Sequence, residues 1–408
     1  MRVVPVMLLL VGALVGAQAP QLSAPFATPS ANNAPRVVEP PAGATLHVPQ
    51  GFTVSTWANG FDMPRFMLVA PGGEILLSDS GAGIVYVFAG GKPESKKPLV
   101  MGLNRPYGLA VWQNYLYVAE TNRVRRFPYD AKALTVGAGQ EILQVPGGGN
   151  HWTRAIVFDR AGQKLYVSVG SSSNITPDEE RRAAINRYNP DGSGHEIFAS
   201  GTRNPSSIHW YPNSDTLWVT VIERDGLGDD LPPDYFTHVQ PGGFYGWPWA
   251  YFGPHPEPRH NGQHPELVQK TMTPDVALPA HNSPLDFAFY TGTQFPAEYR
   301  GGAFITLHGT WNRSQRAGYK VVYVPFQNGR PSGQPRDFLT GWMIAPANRD
   351  VWGRPVGVIM LPDGSLLVSD DGGRRSGACP TGVAGLLNPS RCGSHRSRMG
   401  STRGRCRG

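Results

Sequence analysis

The sequence predicts an all-β protein, and three observations support this prediction. Charged residues make up only 16% of the 408 residues, whereas the chain contains 50 glycines and 39 prolines. Short apolar runs bounded by Gly, Pro, Asn and Asp recur along the chain, and long stretches of helical periodicity are hard to find. The third observation is an internal repeat of an apolar strand, a tight turn and a second strand. Such runs and turns are typical of proteins built from sheets.

The best-formed copy of this repeat spans residues 147–173. A glycine-rich loop carries His151, an apolar strand follows at 155–158, a turn falls at Ala161-Gly162, and a second strand occupies 165–169. Two strands joined by a tight turn form a β-hairpin. Five further copies have the same order of elements, and they open at Pro64, Arg105, Arg203, Ser283 and Arg354.

Further strands are predicted after several copies, at 84–88, 123–127, 184–188 and 319–324. Repeats of roughly 40–50 residues with about four strands each are typical of a β-propeller. Six copies therefore predict a six-bladed β-propeller of four-stranded blades. A β-sandwich and two smaller β domains are the alternatives. In a propeller, the innermost strands begin near one mouth of the central channel, so the polar residues that open the copies are expected to converge there.

The two ends of the chain differ from the predicted propeller domain at 49–373. Residues 1–19 resemble a bacterial Sec-type signal peptide, with Arg2, an apolar stretch and Ala17-Gln18-Ala19 near the cleavage region, and a membrane anchor is the alternative. Residues 20–48, rich in Pro, Ala and Ser, are predicted to be a disordered or extended lead-in. We therefore expect a periplasmic or secreted protein without stable membrane insertion.

Residues 374–408 form an atypical tail, which contains eight arginines, no lysine, no acid and all three cysteines. Without this tail, basic and acidic residues are nearly equal in number, so the formal charge of +7 does not indicate a nucleic-acid partner for the body. We hypothesise that the chain is read out of frame from about Arg374. Resequencing that finds an intact frame would contradict this hypothesis. If the tail is genuine, the last blade is expected to lack a strand, which would weaken the closure of the ring.

Two groups of polar residues at the openings of the copies are candidates for chemistry. His151 suits a general base near neutral pH, and a structural loop histidine is the alternative. Arg203-Asn204 sets a planar cation beside an amide, which suits a carboxylate or a developing oxyanion, and a structural arginine is the alternative. With Arg105 and Arg354, several cations around one mouth would suit a small polyanionic ligand.

An acidic loop at 224–234 is a candidate metal site. It contains Asp225 and Gly226, and carboxylates and backbone carbonyls are the ligands that Ca²⁺ prefers. The spacing differs from that of an EF-hand, so a solvated turn is the alternative. The chain has no Walker loop, Rossmann fingerprint or Gly-x-Ser-x-Gly elbow.

An ordered set of motifs between about residues 48 and 373 resembles the soluble quinoprotein sugar dehydrogenases, in particular the sorbosone and glucose dehydrogenase branch. The motifs are Gly-Gly-Asn-His-Trp-Thr-Arg (148–154), Leu-Tyr-Val-Ser-Val-Gly-Ser-Ser (165–172), Arg-Tyr-Asn-Pro-Asp-Gly-Ser-Gly (187–194), Ala-Ser-Gly-Thr-Arg-Asn-Pro (199–205), Gly-Asp-Asp-Leu-Pro-Pro-Asp (228–234), Gly-Gly-Phe-Tyr-Gly-Trp-Pro (242–248), Phe-Tyr-Thr-Gly-Thr-Gln-Phe-Pro (289–296), Leu-His-Gly-Thr-Trp-Asn-Arg (307–313) and Gly-Arg-Pro-Val-Gly-Val (353–358).

The resemblance implies a six-bladed propeller that oxidises an aldose or a sorbosone-like sugar aldehyde with pyrroloquinoline quinone (PQQ) and Ca²⁺. His151 matches the general base that takes the substrate hydroxyl proton as hydride moves to the quinone. Arg203 and Asn204 match the pair that contacts the cofactor and stabilises negative charge on the reduced quinone oxygen. The partners implied are a sugar or sugar-aldehyde substrate and an external electron acceptor.

The resemblance also implies further contacts to the cofactor and the metal. Arg354 matches an arginine that pairs with cofactor carboxylates, and His308 lies where glucose-specific members carry a lysine. Arg105 or Asn104 occupies the position of another cofactor contact. The loop at Asp225-Gly226 matches the one whose backbone carbonyls hold Ca²⁺.

Some positions depart from the family pattern and keep other functions open. Ser171 stands where relatives have an acid that orients the histidine, and Tyr235 and Thr237 replace a Glu and an Asn beside the metal loop. A six-bladed lactonase-type hydrolase would instead place carboxylate and amide metal ligands in the channel. A non-catalytic propeller that binds ligands or proteins is the third possibility. Substrate contacts are expected from the inserted loop at 251–282.

Overall fold

The computed structural model describes residues 21–372 and the backbone of the strand Thr381–Leu387. The predicted signal peptide and the rest of the tail lie outside the described residues. Nearly all of the regular secondary structure in the described chain is β-strand. Its helices are one α-helix, Pro265–Lys270, and four short 3-10 helices, Ala89–Gly91, Pro93–Ser95, Pro258–His260 and Ala297–Tyr299. None of these helices is long and apolar enough to cross a membrane.

Six sheets of four or five strands account for most of the described strands, and we number them in chain order. Sheet 1 contains Pro64–Val69, Ile75–Asp79, Ile84–Phe88 and Lys97–Val100. Sheet 2 contains Leu109–Trp112, Tyr115–Glu120 and Arg123–Asp130, whose outer edge pairs with both Thr135–Val136 and Gln140–Gln144. Sheet 3 contains Ile156–Phe158, Leu165–Val169, Ala184–Tyr188, Glu196–Ser200 and Gly243–Phe244.

Sheets 4 to 6 are four-stranded. Sheet 4 contains Asn204–Trp210, Leu217–Ile222, Asp234–Val239 and Val276–Leu278. Sheet 5 contains Pro284–Phe289, Ala303–Leu307, Lys320–Val324 and Arg336–Leu339. Sheet 6 contains Pro355–Met360, Leu366–Asp370, Thr381–Leu387 and Thr53–Phe61. Three strand pairs stand apart: Arg36–Val37 with Asp350–Val351, Ala250–Tyr251 with His255–Pro256, and Phe326–Gln327 with Arg330–Pro331.

The second strands of the sheets are deeply buried. All five residues of Ile75–Asp79, of Leu165–Val169 and of Ala303–Leu307 are buried. A strand covered on both faces needs a nearly continuous apolar run rather than an alternating one, which explains the run that the repeat shows. The core therefore lies between facing sheets, as where Trp218 of sheet 4 packs with Phe287 of sheet 5.

The first strands of the six sheets contact one another in a closed cycle. Pro64–Val69 contacts Leu109–Trp112 on one side and Pro355–Met360 on the other. The cycle continues in chain order through the first strands of sheets 3, 4 and 5, and sheet 5 contacts sheet 6. Antiparallel sheets arranged radially in this way form a β-propeller. The predicted all-β propeller fold is confirmed.

Sheet 6 joins the two ends of the described chain. The strand Thr381–Leu387 pairs antiparallel with Leu366–Asp370 on one side and with Thr53–Phe61 on the other. The expectation that the last copy lacks a strand is therefore wrong. With the sequence Thr-Gly-Val-Ala-Gly-Leu-Leu, this segment has weak strand propensity, but two neighbouring strands offer it backbone hydrogen bonds on both edges.

The described part of the lead-in is held against the body by hydrogen bonds. Arg36 forms two hydrogen bonds of 2.5 and 2.8 Å with the carboxylate of Asp350. Further along the surface, the amide of Phe26 donates to the carbonyl of Leu227 at 2.7 Å. The hydroxyl of Thr28 accepts from the amide of Asp229 at 2.7 Å. The lead-in therefore covers one side of the acidic loop at 224–234.

Candidate functional site

The starts of several first strands and the ends of two second strands surround one cavity of about 320 Å³. The structure brings together around it six of the predicted site residues: His151, Arg203, Asn204, Asp225, His308 and Arg354. Other lining residues are Arg65, Asn150, Trp152, Thr153, Ile222, His281, Ser283, Leu285 and Trp311. Residues that open different copies of the repeat therefore do meet at one mouth.

His151 is a neutral imidazole, and one of its ring nitrogens is hydrogen-bonded to Ser171. Its Nδ1 lies 2.8 Å from the carbonyl oxygen of Ser171 and 3.1 Å from the hydroxyl oxygen of the same residue. Since a carbonyl can only accept, Nδ1 carries the proton, and Nε2 is left with the lone pair of a base. Burial and then the charge of Arg203 lower the pKa of His151 to about 3.

Arg154 fixes the loop that carries His151. Its buried guanidinium donates to the carbonyls of His151, Thr153 and Pro146 at 2.7, 2.6 and 2.7 Å. Gly149 has a φ of +75°, and a Cβ there would lie 2.9 Å from Ser172, so the loop approaches sheet 3 closely at this point. The glycine run and the arginine of the motif therefore act together to place the histidine.

Arg203 is anchored by acceptors on two loops. It donates to the Glu223 carbonyl at 2.6 Å, to the Asn174 side-chain oxygen at 3.0 Å and to the Asp225 carboxylate at 3.3 Å. The contact with a loop carbonyl is what the structural alternative expected, yet the residue also lines the cavity. Beside it, the buried side-chain oxygen of Asn204 has no hydrogen-bond partner among the described residues, so it can serve a ligand.

Asn174 is an organising residue that the sequence did not single out. Its side-chain amide donates to the Asp225 carbonyl, and its side-chain oxygen accepts from the Asp225 amide, both at 2.9 Å. Its own carbonyl accepts from the indole of Trp247 at 2.9 Å and from Arg203 at 3.3 Å. The only available signal was its place in the polar loop after the second strand of the third copy.

A second cationic cluster lies at sheets 1, 5 and 6. Arg65 pairs with the Asp371 carboxylate at 2.5 Å, and the Nε2 of His308 lies 2.8 Å from the same carboxylate. Burial and then the charge of Arg354 lower the pKa of His308 to about 4. Burial alone would raise the pKa of Asp371, but the charge of Arg65, the contact with His308 and the charge of Arg354 hold it well below its usual range. Arg354 donates to the His308 carbonyl at 3.3 Å.

Arg65 and Arg105 sit over the ring of Trp152. Their guanidinium carbons lie 5.1 and 3.9 Å from the ring centroid, within cation–π distance. Trp152 and Arg65 line the cavity, whereas the exposed Arg105 reaches its wall through the tryptophan. Arg65 was missed because it is the second residue of its copy and lies inside the strand Pro64–Val69, whereas Arg203 and Arg354 precede their strands.

His281 comes from the inserted segment and completes the wall beside Asp225. Its Nδ1 lies 3.4 Å from the Asp225 carboxylate, and its Nε2 lies 2.8 Å from the Gly228 carbonyl. Burial alone would lower its pKa, but the hydrogen bonds to these two acceptors and the charges of Asp234 and Asp225 raise it. The sequence predicted substrate contacts from this insertion without naming the histidine.

The cavity fits a flat polyanion such as PQQ, which carries three carboxylates. Three guanidinium groups line it, those of Arg65, Arg203 and Arg354. Guanidinium groups pair with carboxylates through parallel hydrogen bonds. In the part of the chain that the structure describes, the buried Nε of Arg65 has no hydrogen-bond partner, and it is a donor that a carboxylate would satisfy.

The Ca²⁺ predicted at Asp225 and Gly226 fits the donors there poorly. The Asp225 carbonyl already accepts from Asn174 and from the Nη1 of Arg259, both at 2.9 Å, so both of its lone pairs are used. The Asp225 carboxylate faces Arg203 and His281. Within residues 21–372, no group of three or more His, Cys, Asp or Glu side chains is placed to hold a metal ion.

The TrAA12-like family model matches residues 46–230 and 256–377, which is more than half of the chain. The chain belongs to the TrAA12-like family. Both matched segments contribute to the cavity, and together they contain every site residue that the sequence predicted.

This TrAA12-like chain also has curated relatives. It is 29% identical to an uncharacterised protein of Borreliella burgdorferi over 81% of the chain and 90% of that protein. It is 25% identical to the PQQ-dependent pyranose dehydrogenase of Coprinopsis cinerea over 80% of the chain, but it spans only 53% of that enzyme. An aldose sugar dehydrogenase of Escherichia coli is 27% identical over 36% of the chain and 43% of its own length. The predicted resemblance to quinoprotein sugar dehydrogenases is confirmed by these relatives.

Solved structures share the propeller fold of this TrAA12-like chain. The holo PQQ domain of the Coprinopsis cinerea pyranose dehydrogenase has a TM-score of 0.73 at 20% identity, covering 87% of this chain and 99% of that one. A calcium structure of a Trichoderma reesei family AA12 enzyme has a TM-score of 0.70 at 21% identity, with coverage of 88% and 99%. At these identities the likeness establishes the fold.

Proposed function

We propose that this chain is a quinoprotein dehydrogenase that oxidises an aldose or a sorbosone-like sugar aldehyde with PQQ held in the cavity. The observation that carries the proposal is the pairing of a neutral His151, with Nε2 available, and three lining arginines. The similarity to a pyranose dehydrogenase and an aldose sugar dehydrogenase supports the same reaction class.

In this proposal, bound PQQ supplies the acceptor for a hydride from the substrate carbon. His151 would remove the proton from the anomeric hydroxyl of an aldose, or from a hydroxyl of a hydrated sugar aldehyde, through Nε2, while the Ser171 carbonyl holds the ring in the tautomer that leaves this nitrogen basic. The carbon that loses hydride becomes a carbonyl carbon, and an external electron acceptor takes the two electrons in the next step.

The lining arginines and the Asn204 amide are proposed to contact different parts of the cofactor. Arg203 and Asn204 are proposed to contact the cofactor beside His151, and Arg203 stabilises negative charge on a reduced oxygen. On the opposite wall, Arg354 and Arg65 are proposed to pair with cofactor carboxylates. His308, neutral and bonded to Asp371, is proposed as a polar contact rather than as a cation.

We propose that an aromatic side chain in the cavity contacts the substrate. Trp311 lines the cavity and is 43% exposed, so it offers an aromatic face against which the apolar face of a sugar ring can pack.

We also propose that sheets 1 to 6 are six blades of one ring, because their first strands contact one another in a closed cycle. The periplasmic or secreted location remains a prediction.

A lactonase-type hydrolase is supported less well by the cavity. Such an enzyme needs several carboxylate or amide ligands for its metal. Asp225 is the single carboxylate among the lining residues, and it faces Arg203 and His281.

The test is to add PQQ to the protein and follow the reduction of an artificial dye with a panel of aldoses, sorbosone and polyols. We expect sugar-dependent reduction that requires PQQ. Lack of reduction with every sugar, in protein shown to bind PQQ, would reject the dehydrogenase. A lactone-hydrolysis assay in parallel would then test the hydrolase.

A further inference from the structure

Arg259 is held by hydrogen bonds beside the loop that carries Asp225. Its Nε and Nη2 donate to the two carboxylate oxygens of Glu257 at 2.6 and 3.0 Å, a bidentate pair that fixes the guanidinium plane. The Glu257 carboxylate is fully buried and also contacts Arg224 at 3.4 Å. The remaining terminal nitrogen, Nη1, donates to the carbonyl of Asp225 at 2.9 Å.

The loop is shaped to this guanidinium group. Gly226 has a φ of +94°, and a Cβ on it would lie 2.9 Å from the Nη1 of Arg259. The amide of Gly226 donates to the side chain of Asn312 at 3.0 Å, which fixes the peptide from the other side. With Asn174 on the Asp225 carbonyl as well, the backbone that faces Arg259 has its hydrogen bonds satisfied inside the protein.

We infer that Arg259 takes the place of a metal ion at this loop, so that PQQ binds to the protein without calcium. This inference rests on the proposed function. Arg259 is a positioning residue: by holding the Asp225 carbonyl, it orients the Asp225 carboxylate toward Arg203 and His281 in the cavity wall. In a metal-dependent loop, that carbonyl would instead be a ligand of the ion.

The first experiment titrates PQQ into chelator-treated wild-type protein, with and without added Ca²⁺, and measures binding by calorimetry or by quenching of tryptophan fluorescence. We expect the two dissociation constants to agree within about twofold. Binding at least tenfold weaker without Ca²⁺ would overturn the inference while leaving the proposed function standing. The absence of PQQ binding in both conditions would reject the proposed function itself.

The second experiment compares Arg259→Ala with Arg187→Ala in the same titration. Arg187 is a matched control, because its side chain is 28% exposed against 25% for Arg259, and it also pairs with a glutamate, Glu196. We expect Arg259→Ala to weaken PQQ binding at least tenfold in chelator and to regain affinity with Ca²⁺, while the control matches wild type. An Arg259→Ala variant with wild-type affinity in chelator would overturn the inference. If this variant does not fold, the calcium response of the wild type decides the question.

Discussion

His151, which is partly buried, and His308, which is buried, have different hydrogen-bond partners in one cavity. The Nδ1–H of His151 donates a hydrogen bond to the Ser171 carbonyl, so Nε2 keeps a lone pair. In His308, by contrast, Nε2 forms the hydrogen bond, with the Asp371 carboxylate. In both, burial is the largest cause of a lowered pKa, followed by the charge of a neighbouring arginine. Both side chains are therefore neutral at pH 7, and the partner of each decides which nitrogen remains basic.

Replacing His151 by Ala removes the proposed base and leaves the arginines in place. We expect PQQ affinity within a fewfold of wild type and a loss of kcat of roughly 10²- to 10⁴-fold, the usual contribution of a general base. The measurements are a PQQ titration and dye-coupled turnover. The surface change His264→Ala serves as control, and undiminished turnover in His151→Ala would remove the base assignment.

The lowered pKa of His308 predicts how the free energy of unfolding depends on pH. Its pKa is about 4 in the folded protein and 6.5 ordinarily, so the unfolded chain binds more protons between these values. Stability is therefore expected to fall as pH decreases through this window, by roughly 3 kcal/mol from this residue. Urea unfolding of wild type and His308→Gln at pH 7 and pH 4.5 tests this. The Gln variant should lose less stability on acidification, and equal losses would contradict the assignment.

At the level of elements, a loop from sheet 3 and a loop from sheet 4 are joined through Asn174. Its side chain contacts both the amide and the carbonyl of Asp225, and it also accepts from Arg203. An asparagine can bridge a peptide unit in this way because it has both donors and acceptors. The site therefore depends on a residue that does not line the cavity.

Asn174→Ala should disrupt this bridge and leave part of Arg203 without an acceptor. We expect a loss of stability of about 1–3 kcal/mol and weaker PQQ binding, because the guanidinium loses its orientation. Thermal unfolding and PQQ titration measure the two effects. Asn189→Ala removes two side-chain hydrogen bonds in a turn of the same sheet and should leave PQQ affinity unchanged. Equal PQQ affinity in the two variants would contradict the role of Asn174.

The repeat made the propeller and much of the site predictable, whereas contacts between loops were not. His151 and Arg203 could be found because they open copies at equivalent positions. Arg65 follows the proline that opens its copy and lies inside the first strand, so the opening position did not reveal it. Asn174, Arg259 and His281 meet Asp225 only through folding, from segments far apart in the sequence, and no local pattern marks such meetings.

At the scale of the whole molecule, sheet 6 connects the two ends of the described chain. The strand Thr53–Phe61 pairs with Thr381–Leu387, which in turn pairs with Leu366–Asp370. The composition of the tail suggested that this strand was missing, because its glycines give a weak strand signal. These two strands pair across more than 300 residues of sequence, and no local sequence pattern predicts such a pairing.

Two truncations test this closure. Ending the chain after Gly372 removes the third strand of sheet 6 and leaves the edges of two strands unpaired, so we expect thermal unfolding several degrees lower or loss of the folded protein. Ending it after Leu387 keeps the strand and should unfold as the full chain does. Equal melting temperatures for the two truncations would contradict the role of Thr381–Leu387 in closing the sheet.

The most direct test of the account is a single-turnover measurement on protein loaded with PQQ, without dye and without oxygen. The absorbance of the bound cofactor is followed after an excess of an aldose that supports dye reduction is added. We predict a complete change to the spectrum of the reduced cofactor in wild type, and a change slowed at least 100-fold in His151→Ala at equal occupancy. Cofactor that binds but keeps its oxidised spectrum with every sugar would contradict the account.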